Sequence, residues 1–472
     1  MSLTGAINSA SSGLRTSQTL SRIAADNVSN AMTPGYVRRS GNVVTTGTDQ
    51  TGSIVKDVRR EVNESLQRMS RLESGKMARY QALHEGLRSY TAYLGQPGDG
   101  TSPSDKFNAF QNSLTTLINM PSSNGAQTGA VLAAEDLALA VRGAATTLGT
   151  TLSEVDMEIR YEVADLNQSL YALRELNTKQ LDIGQGTIEW AQFKEKIDNL
   201  LDQVASVVDT RVTVSANGSV SIYTVGGAAL LEGDLVQDVT FTAGDGTLMA
   251  GAQDITPFKD GVRGLEHGSL VGLVELKRRV LPQFNAQLDE YARGLIQAFE
   301  GADSSLAAGQ PGLFTDNGSA YDPANLTGLA SRLHVNEKVT LNGDAEVWRI
   351  RDGLGVSAPG AAADSSQIGA FVAALGTPVG ASSASGIPGF VTVRDFAAEM
   401  VTAQATERAR AENNYNAANS AAEVVNGARN NAEGVSIDDE MQRLLLIEQS
   451  FAANSRVLTT VSEMIDALIA AV

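Results

Sequence analysis

The stretch SIDDEMQRLLLIEQSFAANSRVLTTVSEMIDALIAAV, residues 436–472, decides how the rest of the chain is read. Steps of seven from Ile437 land on Leu444, Phe451, Leu458, Ile465 and Val472, every one apolar. Between them lie Met441, Ile447, Val461, Leu468 and Ile469, interrupted by Glu440 and Asn454. An apolar stripe of roughly heptad period on an unbroken segment predicts one amphipathic helix, about 55 Å long at 1.5 Å per residue. Ser436, followed by Asp439 and Glu440, supplies a cap and first-turn acids that complement the helix dipole, and no Gly or Pro interrupts the run. Such a helix either docks on its own domain or takes a partner helix.

The other end of the chain offers that partner. Residues 2–31 carry Leu3, Ile7, Ala10, Leu14, Leu20, Ile23, Ala24, Val28 and Ala31 at helical spacing among Ser, Thr and Asn. The stripe is thin, and Gly5 and Gly13 each weaken a helix by about 1 kcal/mol relative to Ala. The run Asn27-Val28-Ser29-Asn30-Ala31-Met32-Thr33-Pro34-Gly35-Tyr36 ends it, because Pro34 disfavours helix at Thr33 and Gly35 permits a positive φ. Matched seams at both ends predict that the terminal helices pair as a coiled coil. The assembly seam comprises Leu3, Ile7, Leu14, Leu20, Ile23, Val28, Ile437, Leu444, Ile447, Phe451, Leu458, Val461, Ile465 and Leu468, with Leu3, Ile7 and Leu14 meeting residues from Leu444 to Leu468. Thr33, Pro34, Gly35 and Tyr36 read as a hinge between this inner layer and the rest.

Composition bounds the class. With 472 residues and 42% hydrophobic content the chain can build several packed domains. It contains no cysteine, so thiol nucleophiles, disulfides and thiolate metal sites are excluded. A net charge of −18 opposes a nucleic-acid groove or an anionic-membrane binder, both of which need a basic footprint. No apolar run approaches the ~20 residues of a membrane span, and the N-terminus shows no secretory signal, so an exported chain would leave by another route.

Between the ends the pattern is mainly α with smaller β parts. Phe107, Phe110, Leu114, Leu117 and Ile118 precede a stop at Pro121, and Leu152, Val155, Ile159, Leu166, Leu170, Leu173 and Leu176 continue helically, as in a bundle. Residues 211–225 read as a β-hairpin, Val212 and Val214 alternating before Asn217-Gly218 and Val220 and Ile222 after it, with a type I′ turn expected. Gly264 to Phe299 reads as a helix that Pro282 kinks or divides. Residues 301–390 turn to Gly, Ala, Ser and Pro with short β-like runs at Leu333–Val335 and Val347–Ile350, while Arg394 to Arg429 reads as an Ala-rich helix with Phe396, Met400, Val401, Val424 and Val425 on its seam. The predicted domains are therefore 1–40 with 436–472, the inner coiled coil; 41–300 with 391–435, a helical bundle carrying the hairpin; and 301–390, a small mixed outer subdomain.

Signals for chemistry are absent. His84, His267 and His334 are scattered with no ligand pairing, and Gly98-Asp99-Gly100-Thr101 and Gly244-Asp245-Gly246-Thr247 read as isolated turns. No nucleophile elbow and no phosphate-binding loop occurs. The expectation is no catalytic residue, no metal and no cofactor.

The motif Asn27 to Tyr36, with Arg38 beyond it, resembles the Asn-rich Thr-Pro-Gly-Tyr signature of bacterial flagellar axial proteins of the rod, hook and hook-filament junction. Glu440 to Leu468, including Glu448-Gln449-Ser450-Phe451 and Val461-Ser462-Glu463-Met464-Ile465, is similar to the closing helix of that group. The helices of residues 105–181 with Asp165-Leu166-Asn167 and Glu175-Leu176-Asn177, the hairpin, and the Gly264–Phe299 helix resemble the hook-associated junction members more than hook or rod proteins. Where the family has a Leu-Asp-x-Arg-Asp segment, this chain has Asp198-Asn199-Leu200-Leu201-Asp202-Gln203. The resemblance implies a structural protein that joins hook to filament by self-assembly into a ring or helical layer. It implies export through the flagellar apparatus to the extracellular flagellum, hook protein below, the second junction protein above, and a cytoplasmic chaperone on the C-terminal helix beforehand. It implies neither nucleic-acid binding nor membrane insertion. The alternatives are another axial protein such as hook or distal rod, a membrane translocator, which lacks its apolar span, and a cell-wall hydrolase, which lacks its acid/base constellation.

Overall fold

The computed structural model describes residues 3–46, 52–94, 100–387 and 389–470. Val472 of the seam and the Gly98-Asp99 half of the first expected turn lie outside the described residues. Helix α1 (Leu3–Ser29) leads to a hairpin of β1 (Arg39–Thr45) and β2 (Ser53–Arg60), then to α2 (Glu64–Leu94), α3 (Pro103–Asn119), α4 (Asn124–Lys179) and α5 (Ile188–Val207). Capping marks the starts: Ser102 accepts from the Asp105 amide with Pro103 in the first turn, Ser123 from Ala126, and Thr187 from Trp190.

The expected hairpin at 211–225 opens a larger β region. Strands β3 (Arg211–Val214), β4 (Val220–Tyr223), β5 (Ala229–Glu232) and β6 (Leu235–Val236) form one antiparallel sheet in that order, and β7 (Val239–Thr242), β8 (Thr247–Ala250) and β9 (Gln253–Asp254) form a second. The first turn is not type I′. Only Gly218 is at positive φ, the Gly218 amide donates to the Ser215 carbonyl at 2.8 Å, and the Ser215 amide to the Ser219 carbonyl at 2.9 Å. That is a type I turn closed by a left-handed glycine bulge, a geometry that asks nothing unusual of Asn217. The Gly244–Gly246 turn joins β7 to β8.

Two asparagines of α4 tie these sheets down. Asn177 donates to the Val220 carbonyl at 2.8 Å and accepts the Val220 amide at 2.9 Å, and Asn167 does the same with Val239, both at 2.8 Å. Val220 and Val239 are the first residues of β4 and β7, so each side-chain amide acts as a short extra strand and satisfies a strand end that would otherwise be desolvated unpaired.

Pro282 divides the next helix as expected. Helix α6 (Ser269–Glu275) runs into a π-turn at 276–280, and α7 (Leu281–Ala302) restarts with Pro282 in its first turn, where the missing N–H and the ring clash with the preceding turn are accommodated. Beyond it lie β10 (Phe314–Asp316), the single turn α8 (Leu329–Arg332), β11 (Leu333–Val335) paired with β10, the single turn α9 (Arg349–Asp352), α10 (Ser366–Leu375), and the paired β12 (Pro378–Gly380) and β13 (Phe390–Thr392). The run Val347–Ile350 leads into a helical turn, not a strand: Val347 and Ile350, three apart, are both buried, so its apolar period suits a turn of helix. Residues 301–390 share their core with the bundle. Phe110 of α3, Phe299 of α7, Phe314 of β10 and Phe371 of α10 form one aromatic cluster with ring centroids 4.9 to 5.6 Å apart.

The chain returns through α11 (Val393–Glu433), which lies antiparallel along α2, and closes with α12 (Ile437–Ala470). Ser70 meets Asn426 at 2.6 Å, His84 stacks on Tyr415, and Tyr90 donates to Gln404 at 2.7 Å, marking three levels of the α2–α11 pair. Phe396, Met400 and Val401 are buried, but toward the far end the buried positions are Ala411, Ala418 and Ala422 while Val424 faces solvent. The close approach of two long helices selects the small residues there.

Candidate functional site: the terminal helix pair and its neck

Helices α1 and α12 pack antiparallel. Ser17 and Ser450 hydroxyls stand 3.5 Å apart, and a Cβ placed on Gly13 would lie 2.6 Å from Nδ2 of Asn454. Ascending along α1 thus descends along α12, and at that register Ala6 stands level with Val461, next to Ile7. Of the predicted seam, Ile23 and Val461 are buried, and Leu3, Ile7, Leu14, Leu20, Val28, Leu444, Ile447, Leu458 and Ile465 are half-buried. Ile437, Phe451 and Leu468 are exposed, Phe451 at 39%.

Helix α1 serves two neighbours, which explains its thin stripe. A Cβ on Gly41 of β1 would stand 2.7 Å from Cδ2 of Leu20 and 3.3 Å from Cδ1 of Ile23, so these two seam residues lie against the hairpin. On the same side Thr16 donates to the Ser53 carbonyl at 2.8 Å and Ser12 accepts the Ser53 amide at 3.2 Å. Side-chain hydroxyls replace apolar contacts there, and hydropathy patterning does not detect them.

The interruptions in the α12 stripe face inward. Glu440 is among the most buried residues of the helix and pairs with Nε of Arg38 at 2.8 Å. Arg38 also donates its amide to the Glu433 carbonyl at 2.8 Å, tying the chain after α1 to the end of α11. Below this pair α5 presents Glu195, Asp198 and Asp202 along one face at helical spacing. Glu195 holds Arg39 at 2.6 Å; Asp198 holds Arg60 at 2.7 Å and Arg71 at 3.3 Å; Asp202 holds Arg71 at 2.6 Å and Arg429 at 2.8 Å, and Arg429 reaches Glu433 at 3.1 Å. Arg39 and Arg60 stand directly opposite each other on β1 and β2, a like-charge pairing that needs these carboxylates. Partly buried ion pairs of this kind add little net stability against their desolvation, so the ladder's effect is to define how β1, β2, α2, α5 and α11 meet. The stretch Asp198–Gln203, read as a departure from the family pattern, supplies two of its rungs and Asn199.

The motif Thr33-Pro34-Gly35-Tyr36 forms a tight corner in this neck. Helix α1 has closed at Ser29, and the Tyr36 amide returns to the Thr33 carbonyl at 3.2 Å with Pro34 and Gly35 as the central pair and Gly35 at φ +76°. This is the arrangement of a type II turn. A side chain on Gly35 would run into Oδ1 of Asn199 on α5. Thr33, Pro34 and Gly35 are exposed whereas Tyr36, Val37 and Arg39 are buried. The Tyr36 hydroxyl points inward and donates to Oδ1 of Asn27 at 2.9 Å, and Asn27 exchanges hydrogen bonds of 2.8 and 3.0 Å with the backbone of Arg39, the first residue of β1. It is the device used by Asn167 and Asn177. The Arg39 guanidinium lies 4.8 Å from the centre of the Tyr36 ring.

Burial pushes the Tyr36 phenol up from 10.0 to about 12, against the opposing pull of Arg39. A raised folded-state value means that this group's contribution to stability is complete below about pH 10 and is lost as pH climbs through about 12. In an ultraviolet phenolate titration, Tyr36→Phe should therefore remove a late step in that alkaline window and leave the earlier steps in place. Loss of an early step instead would place the Tyr36 hydroxyl in solvent.

No group of three or more His, Asp or Glu among the described residues is arranged to hold a metal, and no described helix is long and apolar enough to cross a membrane. A groove of about 520 Å³ between α2, α4 and α6 is lined by Glu85, Glu154, Glu158 and Glu162, and burial raises the Glu162 carboxyl above the ordinary range. His84 is stacked on Tyr415 and His334 meets the Arg332 carbonyl, so neither histidine converges on that groove.

Residues 92–310 match the family described as the flagellar hook-associated protein FlgK helical domain, and residues 429–471 match the C-terminal family of flagellar basal body rod FlgEFG proteins. Together these matches span more than half of the chain. Flagellar hook-associated protein 1 of Bacillus subtilis (strain 168) is 22% identical over 495 residues, covering 94% of both chains. A solved structure of the flagellar hook junction protein FlgK from Burkholderia pseudomallei is similar with a TM-score of 0.43 and 18% identity, over 52% of this chain and 46% of that one. The superposed part thus spans less than half of that structure's own length.

Proposed function

The chain belongs to the family of flagellar hook-associated FlgK proteins, and from that premise we propose that it builds the hook-filament junction through its terminal helix pair. It is a structural subunit of the flagellum, with no catalytic step assigned to it. The observation that carries the reading is the uncovered apolar surface of α12. With α1 already seated on one face, Leu446, Val457 and Met464 remain exposed along one flank and Ile437, Met441 and Leu445 along the other, Leu446 at 65%. Apolar flanks on both sides of an already paired helix suit contacts with neighbouring copies in a ring or helical layer. Phe451, half out of the α1 contact, sits where a neighbouring subunit would complete its burial. The neck then fixes the angle between this inner layer and the bundle outside it.

Hook protein on one side and the second junction protein on the other are the proposed neighbours, reached by export through the flagellar apparatus. Before export, a cytoplasmic chaperone would shield the same α12 flanks. The match of residues 92–310 favours the junction role over a hook or distal rod role, because the rod-type match is confined to the closing helix.

Cells lacking this protein should carry hooks without filaments in electron micrographs. Complementation with Leu446→Glu or Phe451→Ala should yield secreted subunits that fail to incorporate, with circular dichroism of the purified variants close to that of the unaltered chain. Normal filaments in the lacking strain would sink the junction role. Normal incorporation of both variants would instead remove α12 from the subunit contact and leave the role standing.

A further inference from the structure

We propose that Gly13 and Asn454 form a register key that selects one alignment of the α1–α12 pair. Gly13 sits inside a helix with no positive φ, so its backbone conformation does not call for glycine, and glycine lowers helix propensity relative to alanine. Space calls for it. A Cβ at this position would stand 2.6 Å from Nδ2, 2.8 Å from Cγ and 2.8 Å from Oδ1 of Asn454, so the Asn454 amide would have to turn aside. Asn454 is half-buried on the inward face of α12, in line with Ile447 and Val461, one heptad to either side. Its amide is held by a 3.0 Å hydrogen bond from Nδ2 to the Ser450 carbonyl, so swinging it away from Gly13 breaks that bond.

The neighbouring turn repeats the character of the contact. Ser17 on α1 is buried and faces Ser450, with hydroxyls 3.5 Å apart. Gly13 and Ser17 thus make a small polar notch that meets Ser450 and Asn454, two turns and more along α12 from the Glu440–Arg38 pair. Sliding α12 by one heptad would bring Asn454 level with Ala6 or Leu20 in place of Gly13. Beside Ala6 the Asn454 amide would meet a Cβ and have to turn aside, and beside Leu20 it would lie next to an alkyl side chain that offers it no hydrogen bond. An unbroken apolar seam has no comparable reason to reject those alignments, since each heptad resembles the next. The key fixes where the exposed flanks of α12 fall relative to the neck. It concerns the single chain and stands whether or not the assembly role does.

The test uses the absence of cysteine from the chain. In the full-length protein, Ser17→Cys with Ser450→Cys should cross-link readily under oxidised glutathione, and Ser17→Cys with Val457→Cys, one heptad away, should not. Adding Asn454→Leu should lower the first yield and raise the second to a comparable level. An unchanged pattern in the Asn454→Leu background overturns the proposal. Should that variant not fold, Gly13→Ala decides: the key predicts that it lowers the melting temperature of the terminal helices and that Asn454→Ala in the same chain restores it. A plain rise with Gly13→Ala alone, as helix propensity by itself would give, overturns the key as well.

Discussion

Phe299→Ala is expected to destabilise the body of the protein by about 3 to 5 kcal/mol, the range for deleting a fully buried aromatic ring from a packed core. Phe299 has no exposed surface and touches three other rings, with centroid separations of 5.6 Å to Phe110, 5.2 Å to Phe314 and 4.9 Å to Phe371. Those partners come from α3, β10 and α10, so the ring joins the bundle to residues 301–390. The cavity left behind would face backbone and side chains of several elements that cannot close together without shifting α7. Urea unfolding followed by circular dichroism should show the whole body losing stability in one transition. A separate early transition confined to a small amplitude would mean that residues 301–390 unfold by themselves, and a loss under about 1 kcal/mol would mean that the cluster relaxes around the deletion.

Gly35→Val should leave the bundle folded and abolish filament retention. Two penalties coincide at this position. The φ of +76° costs an L side chain about 1 to 2 kcal/mol, more for a β-branched one, and the new side chain collides with Asn199 on α5. The corner is relieved by turning the Asn199 amide aside, by moving Tyr36, whose hydroxyl is committed to Asn27, or by moving α5, whose carboxylates hold Arg39, Arg60, Arg71 and Arg429; the φ penalty remains in each case. The terminal pair would then leave the neck at a different angle. Motility in soft agar and filament length after shear are the measurements. If cells with Gly35→Val swim normally and keep full-length filaments, the corner is no more than a helix stop. Asn199→Ala should partly rescue a defect caused by the collision, and leave untouched one caused by φ.

The sequence by itself determined the long helices. The seven-residue recurrence from Ile437 onward and the run from Phe107 to Leu176 are local periodicities, and a helix is a local object whose start and stop are written in Ser436, Pro121 and Pro282. It determined the turn at Gly35 for the same reason, since Pro-Gly restricts two adjacent residues whatever surrounds them. Only the tertiary structure decided what the polar residues were for. Asn27, Asn167 and Asn177 look alike as loop or helix-surface amides, yet each closes the end of a strand that lies 12, 72 or 43 residues away in sequence. Glu440 and Asn454 read as breaks in a stripe and are instead the residues that meet Arg38 and Gly13. The β1–β2 hairpin and strands β5 to β9 leave little mark in the sequence, whereas β11 does, at Leu333–Val335; the faces of β1, β2, β5, β6 and β7 rest on α1 and α4, so their burial is supplied by distant elements. Apolar periodicity reports burial averaged along one element. A hydrogen bond or an ion pair reports one partner, and which partner is available is settled only when the elements have packed.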